Sequence, residues 1–371
     1  MHVLLAGEFS GLHNHLKRGL AHHGVEATTL NTNDAWKQFP SDILLRSSAP
    51  WPFQILSDEL GLKLLSYANR SERFDAVQLI NPIIANSIKL QLVLNTLRPH
   101  KRAILKLLEH SPKSFLLGAG DDKYYFAACR NSAFEYNPLP TALKYDMPLW
   151  KRIYSQSWTR NVLCEWNVQL ANRVSGIIPC AYEYAVAYSQ SGLGNVRPLI
   201  RFPFFLDNIA IPQRKRVGPV RVLHTPTRSG FKGSALILEA FELLKSHHKR
   251  VDLIVGHPQN IRNYGDVLQS VDVVVDQVYS YSYAMNALYS LAHGRVVLTG
   301  FEPAARELLR VSDCDAILNL KPEVQQIAET IMTAVERVES DRELPEKARH
   351  FVEEFHCAKR IAKEYISAWT S

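Results

Sequence analysis

The sequence predicts an α/β protein built from two Rossmann-like domains, and three observations carry that expectation. Short runs rich in Val, Ile and Leu alternate with helix-period stretches from residue 3 onward, the pattern of a parallel sheet covered by helices. The alternation restarts at residue 220, after a segment (197–219) holding Pro198, Pro203, Pro212, Pro219 and the basic run Arg214-Lys215-Arg216. The chain of 371 residues is also too long for one ordinary core. The expected division is 1–205 and 206–344.

The elements follow in order. Residues 3–6 read as a strand, 7–11 as a loop, 12–23 as a helix closed by Gly24, and 26–30 as a second strand, which together make a βαβ opening. Apolar runs at 76–80, 104–108 and 115–117 read as further strands, with a helix over 84–97. Residues 146–175 and 182–190 read as helices. In the second half, strands are expected at 220–223, 252–255, 271–275 and 296–298, separated by helices at 234–247, 260–269, 283–293 and 303–310. Phe351, Phe355, Ala358, Ala362, Tyr365 and Trp369 recur at three- and four-residue spacing, so 345–369 reads as one helix. Two such halves are expected to face each other across a ligand-holding cleft. Neither half carries G-x-G-x-x-G, which argues against a nicotinamide dehydrogenase.

Composition narrows the class. Hydrophobic content of 46% with 21% charged residues reads as globular. The opening MHVLLAGEFSG lacks a basic n-region and reads as a first strand, not a signal peptide. No run of about 18 apolar residues offers a membrane span. Five scattered cysteines with no Cys-x-x-Cys pair suit reduced thiols in the cytoplasm and argue against structural zinc. The net charge of +7 lies wholly in residues 1–205, which hold 22 Lys and Arg against 15 Asp and Glu. A basic half suits nucleic acid, an anionic membrane or an acidic substrate. With no zinc finger, RNA-recognition motif or dense basic run, nucleic acid is not expected. Trp150, Trp158 and Trp166 lie among Lys151, Arg152 and Arg160, a mixture that suits a bilayer interface. Eight-residue spacing drifts about 80° per step on a helix, which favours core packing instead. A peripheral contact with the inner face of a membrane stays open.

The most informative stretch is VRVLHTPTRSGFKG, residues 220–233. A β-branched strand empties into a polar turn carrying Arg228 and Lys232, and Gly233 closes it before a helix. A helix N-terminus offers unpaired N–H groups and the positive end of the peptide dipoles. A guanidinium and an ammonium four residues apart make that turn a diphosphate candidate. The alternative is a solvated basic helix start.

The run Arg221-Val-Leu-His-Thr-Pro-Thr-Arg-Ser-Gly-Phe-Lys-Gly233 resembles the donor-phosphate loop of retaining glycosyltransferases with the two-domain GT-B fold. Asp272-Val-Val-Val-Asp-Gln277 and Tyr281-Ser-Tyr-Ala-Met-Asn-Ala-Leu-Tyr-Ser-Leu-Ala-His-Gly-Arg-Val-Val-Leu-Thr-Gly300 resemble the same family's donor-sugar and ribose segment. Gly7-Glu-Phe-Ser-Gly11 looks like its first-strand loop. The match is good over about residues 220–305 and loose in the first half. The resemblance implies that Arg228 and Lys232 neutralise the leaving diphosphate of a nucleotide sugar, acting mostly in the transition state. It places the backbone amides of Ala284, Met285 and Asn286 on the donor, and the further candidates for donor contact are Gly11, His224, Thr227, Gly256, Tyr283, Tyr289 and Glu302. It implies a first half that reads the acceptor, a final helix from Pro345 that crosses back onto that half, and no metal or other cofactor.

The family's two motif glutamates, eight positions apart, fall here on Tyr281 and Tyr289, and a phenol lacks a carboxylate's paired acceptors. Glu302, in Gly-Phe-Glu-Pro, is the nearest carboxylate that could compensate; it is equally an ordinary first-turn acid. Asp121 and Asp122 follow the 115–117 strand, where Asp122 reads as a catalytic carboxylate for the acceptor hydroxyl or as a helix cap, two roles that are compatible. His224 and His257 sit at strand ends, each a donor contact or a structural residue, and Gly256 admits close approach of a base. His110 reads as a surface residue and Asp313-Cys-Asp315 as a surface loop, not a metal site. The implied activity is transfer of a sugar, with retention, from a nucleotide-sugar donor to a glycan or lipid-linked acceptor, in surface polysaccharide synthesis. The rival readings are a non-catalytic nucleotide-sugar-binding or scaffold protein and a nucleotide-sugar epimerase.

Overall fold

A computed structural model of the chain describes residues 1–32, 34, 37–48, 50, 59–70, 72–84, 98–145, 158, 159, 162–206, 209, 211, 218–247 and 249–371. The chain divides into two compact units. The first comprises Met1–Ala133, Met147–Phe205 and Ala358–Ser371, and the second Phe134–Asp146 and Leu206–Cys357. The expected helix over 84–97, Trp150, most of 146–161 and the basic run 214–216 lie outside the described residues.

The first unit holds a six-stranded parallel sheet, β1 (His2–Ala6), β2 (Glu26–Asn31), β3 (Ile43–Leu44), β4 (Ala76–Leu79), β5 (Ser114–Gly118) and β6 (Gly176–Pro179), in the order β3-β2-β1-β4-β5-β6. This is the doubly wound order whose direction reverses at β1 and β4. β4, β5 and β6 are buried along their whole length, as strands covered on both faces must be. The run 104–108, expected as a strand, lies inside the helix Arg98–Glu109. Ala103, Ile104, Leu107 and Leu108 are buried while Arg102 and Lys106 are exposed, which is a three- and four-residue period mistaken for a continuous apolar run. Trp158 and Trp166 are fully buried, and Trp166 Nε1 donates to the Pro82 carbonyl at 2.8 Å. These two indoles therefore serve the core.

The front of the expected linker is also core. Arg197 and Ile200 donate backbone N–H groups to Ile177 and Pro179, and Phe202, Phe204 and Phe205 are buried. Phe204 stacks on His15 with ring centres 4.3 Å apart.

The second unit holds a five-stranded parallel sheet, β7 (Val220–His224), β8 (Val251–Val255), β9 (Val273–Val275), β10 (Val296–Thr299) and β11 (Ile317–Asn319), in the order β11-β10-β9-β7-β8. Its direction reverses between β7 and β9. In open sheets of this kind the crevice for a ligand lies beyond the carboxyl ends of the strands at that reversal.

The single helix expected over 345–369 is two. Leu344–Phe355 belongs to the second unit and Ala358–Thr370 to the first, with a break at His356 and Cys357. The Ala358 N–H bonds to the Phe204 carbonyl at 2.9 Å. The helix Ala358–Thr370 packs against Leu12–Ala21 so closely that a Cβ on Gly19 would lie 2.2 Å from the Ala358 carbonyl oxygen. Its apolar face (Ala358, Ile361, Ala362, Tyr365 and Trp369) is buried, and the Trp369 indole donates to Gln78 in β4 at 3.0 Å.

Candidate functional site

The site is built on the carboxyl edge of the second sheet. β7 ends at His224 and runs into the turn 225–228, then a single helical turn, Ser229–Lys232. Gly233 joins this turn to the helix Ser234–Leu243 in a left-handed conformation, φ 72°. A Cβ there would lie 2.2 Å from Val278 Cγ2, so the joint requires glycine for its φ and for space.

That geometry delivers Lys232 to the sheet reversal. Its Nζ lies 3.0 Å from Asp276 Oδ1, just past β9, and 3.3 Å from the Thr225 carbonyl just past β7. Asp276 is 1% exposed, and its Oδ1 also accepts from Asn286 Nδ2 at 2.7 Å. The Tyr264 hydroxyl donates in turn to Asn286 Oδ1. An ammonium has three donors, and these two partners occupy two of them. Arg228 is exposed one turn earlier, with its guanidinium 3.6 Å from the centre of the Phe231 ring. Asn286 belongs to the helix Met285–Ala292, whose N-cap Ala284 supplies no side-chain cap to the first N–H groups. One edge thus gathers an anchored ammonium, a guanidinium and an uncapped helix start, an arrangement suited to an anion of several charges.

A second cluster lies farther along the same edge. Tyr281 stacks on Tyr136, with ring centres 4.6 Å apart and planes 16° apart. The Tyr281 hydroxyl oxygen accepts the backbone N–H of Glu135 at 2.7 Å, and burial raises its pKa. The Tyr136 hydroxyl donates to Glu302 Oε1 at 2.8 Å, and Asn319 Nδ2 donates to the same oxygen at 2.7 Å. The Glu302 N–H bonds back to the Tyr281 carbonyl at 3.0 Å.

No family model and no curated protein matches the sequence. Solved structures do match. HepE from Anabaena, solved with UDP and glucose, is similar at TM-score 0.57 and 12% identity, over 100% of this chain and 99% of its own. WaaG, a glycosyltransferase involved in lipopolysaccharide biosynthesis, is similar at TM-score 0.56 and 11% identity, over 98% and 99%. A mutant of S. aureus TarM, solved with fondaparinux, alpha-GlcNAc-glycerol and UDP, matches 84% of this chain at TM-score 0.53 and 12% identity; the match covers only 59% of TarM's length. The chain has the GT-B glycosyltransferase fold.

Within this GT-B fold the expected site residues separate into three groups. Arg228, Lys232, Ala284, Asn286 and Glu302 share the carboxyl edge just described. Thr227 lies in the same turn and is half-buried. Gly256 follows β8, and a Cβ there would lie 2.8 Å from Leu223 Cδ1 and 2.9 Å from Thr225 Oγ1, so its lack of a side chain serves the packing of that edge. Tyr289 packs against the apolar cluster of Leu223, Leu268, Val271 and Val274, edge-on to Tyr264.

His224, Tyr283 and Met285, expected on the donor, are core residues. His224 is fully buried; its Nδ1 faces the Val275 carbonyl and its Nε2 faces Ser234 Oγ, both at 2.8 Å. Burial, with Lys232 nearby, lowers its pKa to about 4 and keeps it neutral. The ring therefore ties β7 to β9 and to the next helix. Tyr283 is 1% exposed, wedged between Phe301 and Phe351, with its hydroxyl 2.7 Å from His356 Nε2. Met285 is 4% exposed.

Two expected residues lie in the first unit. Gly11, at φ 86°, is the N-cap of Leu12–Ala21. Glu8 of the same loop is 5% exposed and accepts the His13 and Asn14 backbone N–H groups; burial raises its pKa to about 7. Asp122 caps the helix Lys123–Arg130. Its Oδ1 accepts the Tyr125 N–H at 2.7 Å, its Oδ2 accepts the Tyr188 hydroxyl at 3.0 Å, and burial raises its pKa to about 6. With both oxygens engaged at 0% exposure, the carboxylate is built as a cap and not as a base for a substrate hydroxyl. His110, expected at the surface, is 7% exposed with Nε2 2.8 Å from the Ala68 carbonyl. Asp313 and Asp315 are exposed and pair with Arg306 and Lys347. Among the described residues no group of three or more acidic, His or Cys side chains is placed to hold a metal, and no helix is long and apolar enough to cross a membrane.

Asp276, Tyr136, Asn319 and Tyr264 were not singled out in the sequence. Asp276 follows three consecutive valines, and an acid straight after a buried parallel strand is the signal that could have found it. Tyr136 carries no such local signal, because it reaches Glu302 from 166 positions away.

Proposed function

We propose that the protein is a retaining glycosyltransferase that moves a sugar from a nucleotide donor to a glycan or lipid-linked acceptor, using the second unit for the donor and the first for the acceptor. The observation that carries this reading is the Lys232 ammonium, anchored by buried Asp276 at the reversal of the second sheet. A cation preset there meets negative charge as it grows on a departing diphosphate, and pays no reorganisation at that moment. Arg228 and the backbone N–H groups at the start of Met285–Ala292 supply further donors to the same oxygens. The transfer needs no metal in this reading, because the protein's own cations neutralise the leaving group. HepE was solved with UDP-glucose, which makes uridine sugars the first donors to try. A basic first half suits an anionic lipid carrier or polysaccharide, and a place on the inner face of a membrane.

Turnover is tested by following release of nucleoside diphosphate from a panel of UDP and GDP sugars, with and without polysaccharide or lipid-linked acceptors. Transfer that depends on acceptor and falls in Lys232→Ala and Arg228→Ala supports the reading. NMR of the new anomeric centre tests retention.

A non-catalytic sugar-nucleotide binder is favoured by one observation: the Tyr281 hydroxyl is committed to the protein's own backbone. Tight donor binding with no transfer to any acceptor would select that reading.

A further inference from the structure

Glu302 is a half-buried carboxylate with uneven use of its two oxygens. Oε1 takes both the Tyr136 hydroxyl and Asn319 Nδ2, while Oε2 makes no hydrogen bond to a described residue. No Lys, Arg or His among the described residues forms an ion pair with it; Arg306, one helical turn on, pairs with Asp313.

Three features hold this carboxylate still. The Tyr281 carbonyl accepts its backbone N–H. Gly300 lies so near the preceding loop that a Cβ would be 2.1 Å from the Ser280 carbonyl oxygen. The Tyr281 hydroxyl accepts the N–H groups of Glu135 and Tyr136, which sets the Tyr136 phenol. The helix that follows Tyr136, Leu139–Tyr145, packs against Ser229–Lys232. One segment therefore touches both the basic turn and the Glu302 cluster, which puts them on one edge of the sheet.

We propose that Glu302 is the specificity-determining residue for the donor's sugar: Oε2 accepts a sugar hydroxyl, and the uncompensated charge excludes a sugar that is itself an acid. The inference rests on the nucleotide-sugar reading above and narrows it to neutral donors. A carboxylate is an acceptor only, so it pairs with hydroxyl donors, and two fixed like charges repel. Tyr136, Tyr281 and Asn319 are positioning residues that act through Glu302.

The test is calorimetry on the whole chain. UDP, GDP, ADP, CDP and TDP identify the base. The glucose, galactose, N-acetylglucosamine and glucuronic acid esters of that diphosphate are then compared in wild type, Glu302→Gln and Tyr136→Phe. The wild type is expected to prefer its best neutral ester over the glucuronate by roughly tenfold or more. Glu302→Gln is expected to lose most of that preference while binding the bare diphosphate within about twofold of wild type. Tyr136→Phe, which removes one hydroxyl, is expected to weaken the neutral ester and leave the bare diphosphate unchanged. A preference undiminished in Glu302→Gln overturns the assignment and leaves the diphosphate site standing. A wild type that binds none of the five diphosphates overturns both.

Discussion

Lys232 Nζ and Asp276 Oδ1 lie 3.0 Å apart, joining the turn after β7 to the end of β9. The two residues are 44 positions apart in the chain and meet where the sheet order reverses. Asp276 is buried and Lys232 is 14% exposed on its side chain. The carboxylate thus fixes a cation that still reaches solvent, and a cation fixed before the ligand arrives loses little side-chain freedom when it binds.

The joint that sets this turn is sensitive to a single methyl group. Gly233→Ala combines a positive φ with a contact at 2.2 Å to Val278. It is expected to destabilise the protein by about 2–5 kcal/mol, from left-handed strain of about 1–2 kcal/mol and overpacking of about 1–3 kcal/mol. Urea unfolding measures it; a midpoint unchanged from wild type would show that the turn relaxes freely.

Asp122 separates a cap from a catalytic base. Asp122→Asn keeps a capping oxygen and is expected to retain turnover, while Asp122→Ala is expected to lose about 1–2 kcal/mol of stability. Steady-state turnover beside thermal unfolding decides it. Loss of turnover in Asp122→Asn at wild-type stability would restore the catalytic role.

Acid should weaken the fold. Burial lowers His13, His100 and His224 to about 4 and His15 to about 3, so the unfolded chain binds more protons than the folded one between those values and about 6.5. Their contribution is fully present above about 6.5 and is lost as pH falls toward 4. Glu8 and Asp122, raised by burial to about 7 and about 6, work in the opposite sense over the same range. Four imidazoles outweigh two carboxyls, so the thermal midpoint is expected to drop between pH 6.5 and 4.5. A midpoint that rises on acidification would contradict these burial states.

The last helix buries two large side chains, Tyr365 and Trp369. Trp369 is 1% exposed and bonded to Gln78. Trp369→Ala is expected to cost about 3–5 kcal/mol, read by chemical denaturation. A loss under 1 kcal/mol would mean that the helix contributes little to its unit.

The strands β7, β9 and β10 of the second unit are legible because each is a compact Val-rich run bounded by a turn. β3 and β11 carry no comparable signal: β3 is only Ile-Leu, and β11 is Ile-Leu-Asn, without the unbroken valines that mark the equally short β9. The run 104–108 was misread because five residues cannot distinguish a buried strand from the inner face of a helix. The basic turn was legible as local chemistry in Arg228, Lys232 and Gly233. Its anchor Asp276 and the Tyr136–Glu302–Asn319 cluster were not, because their partners come together only through the topology. His224 and Tyr283 were misplaced for a related reason. Position at a strand end or beside a motif does not say which way a ring turns, and both turn inward.

The most direct test of the diphosphate site is calorimetric titration of wild type and Lys232→Ala with the tightest-binding nucleoside diphosphate, with circular dichroism confirming that both are folded. A charge-assisted bond of about 1.5–3 kcal/mol predicts binding weaker by about ten- to a hundredfold in the variant. Equal affinity in the two folded proteins would contradict the account.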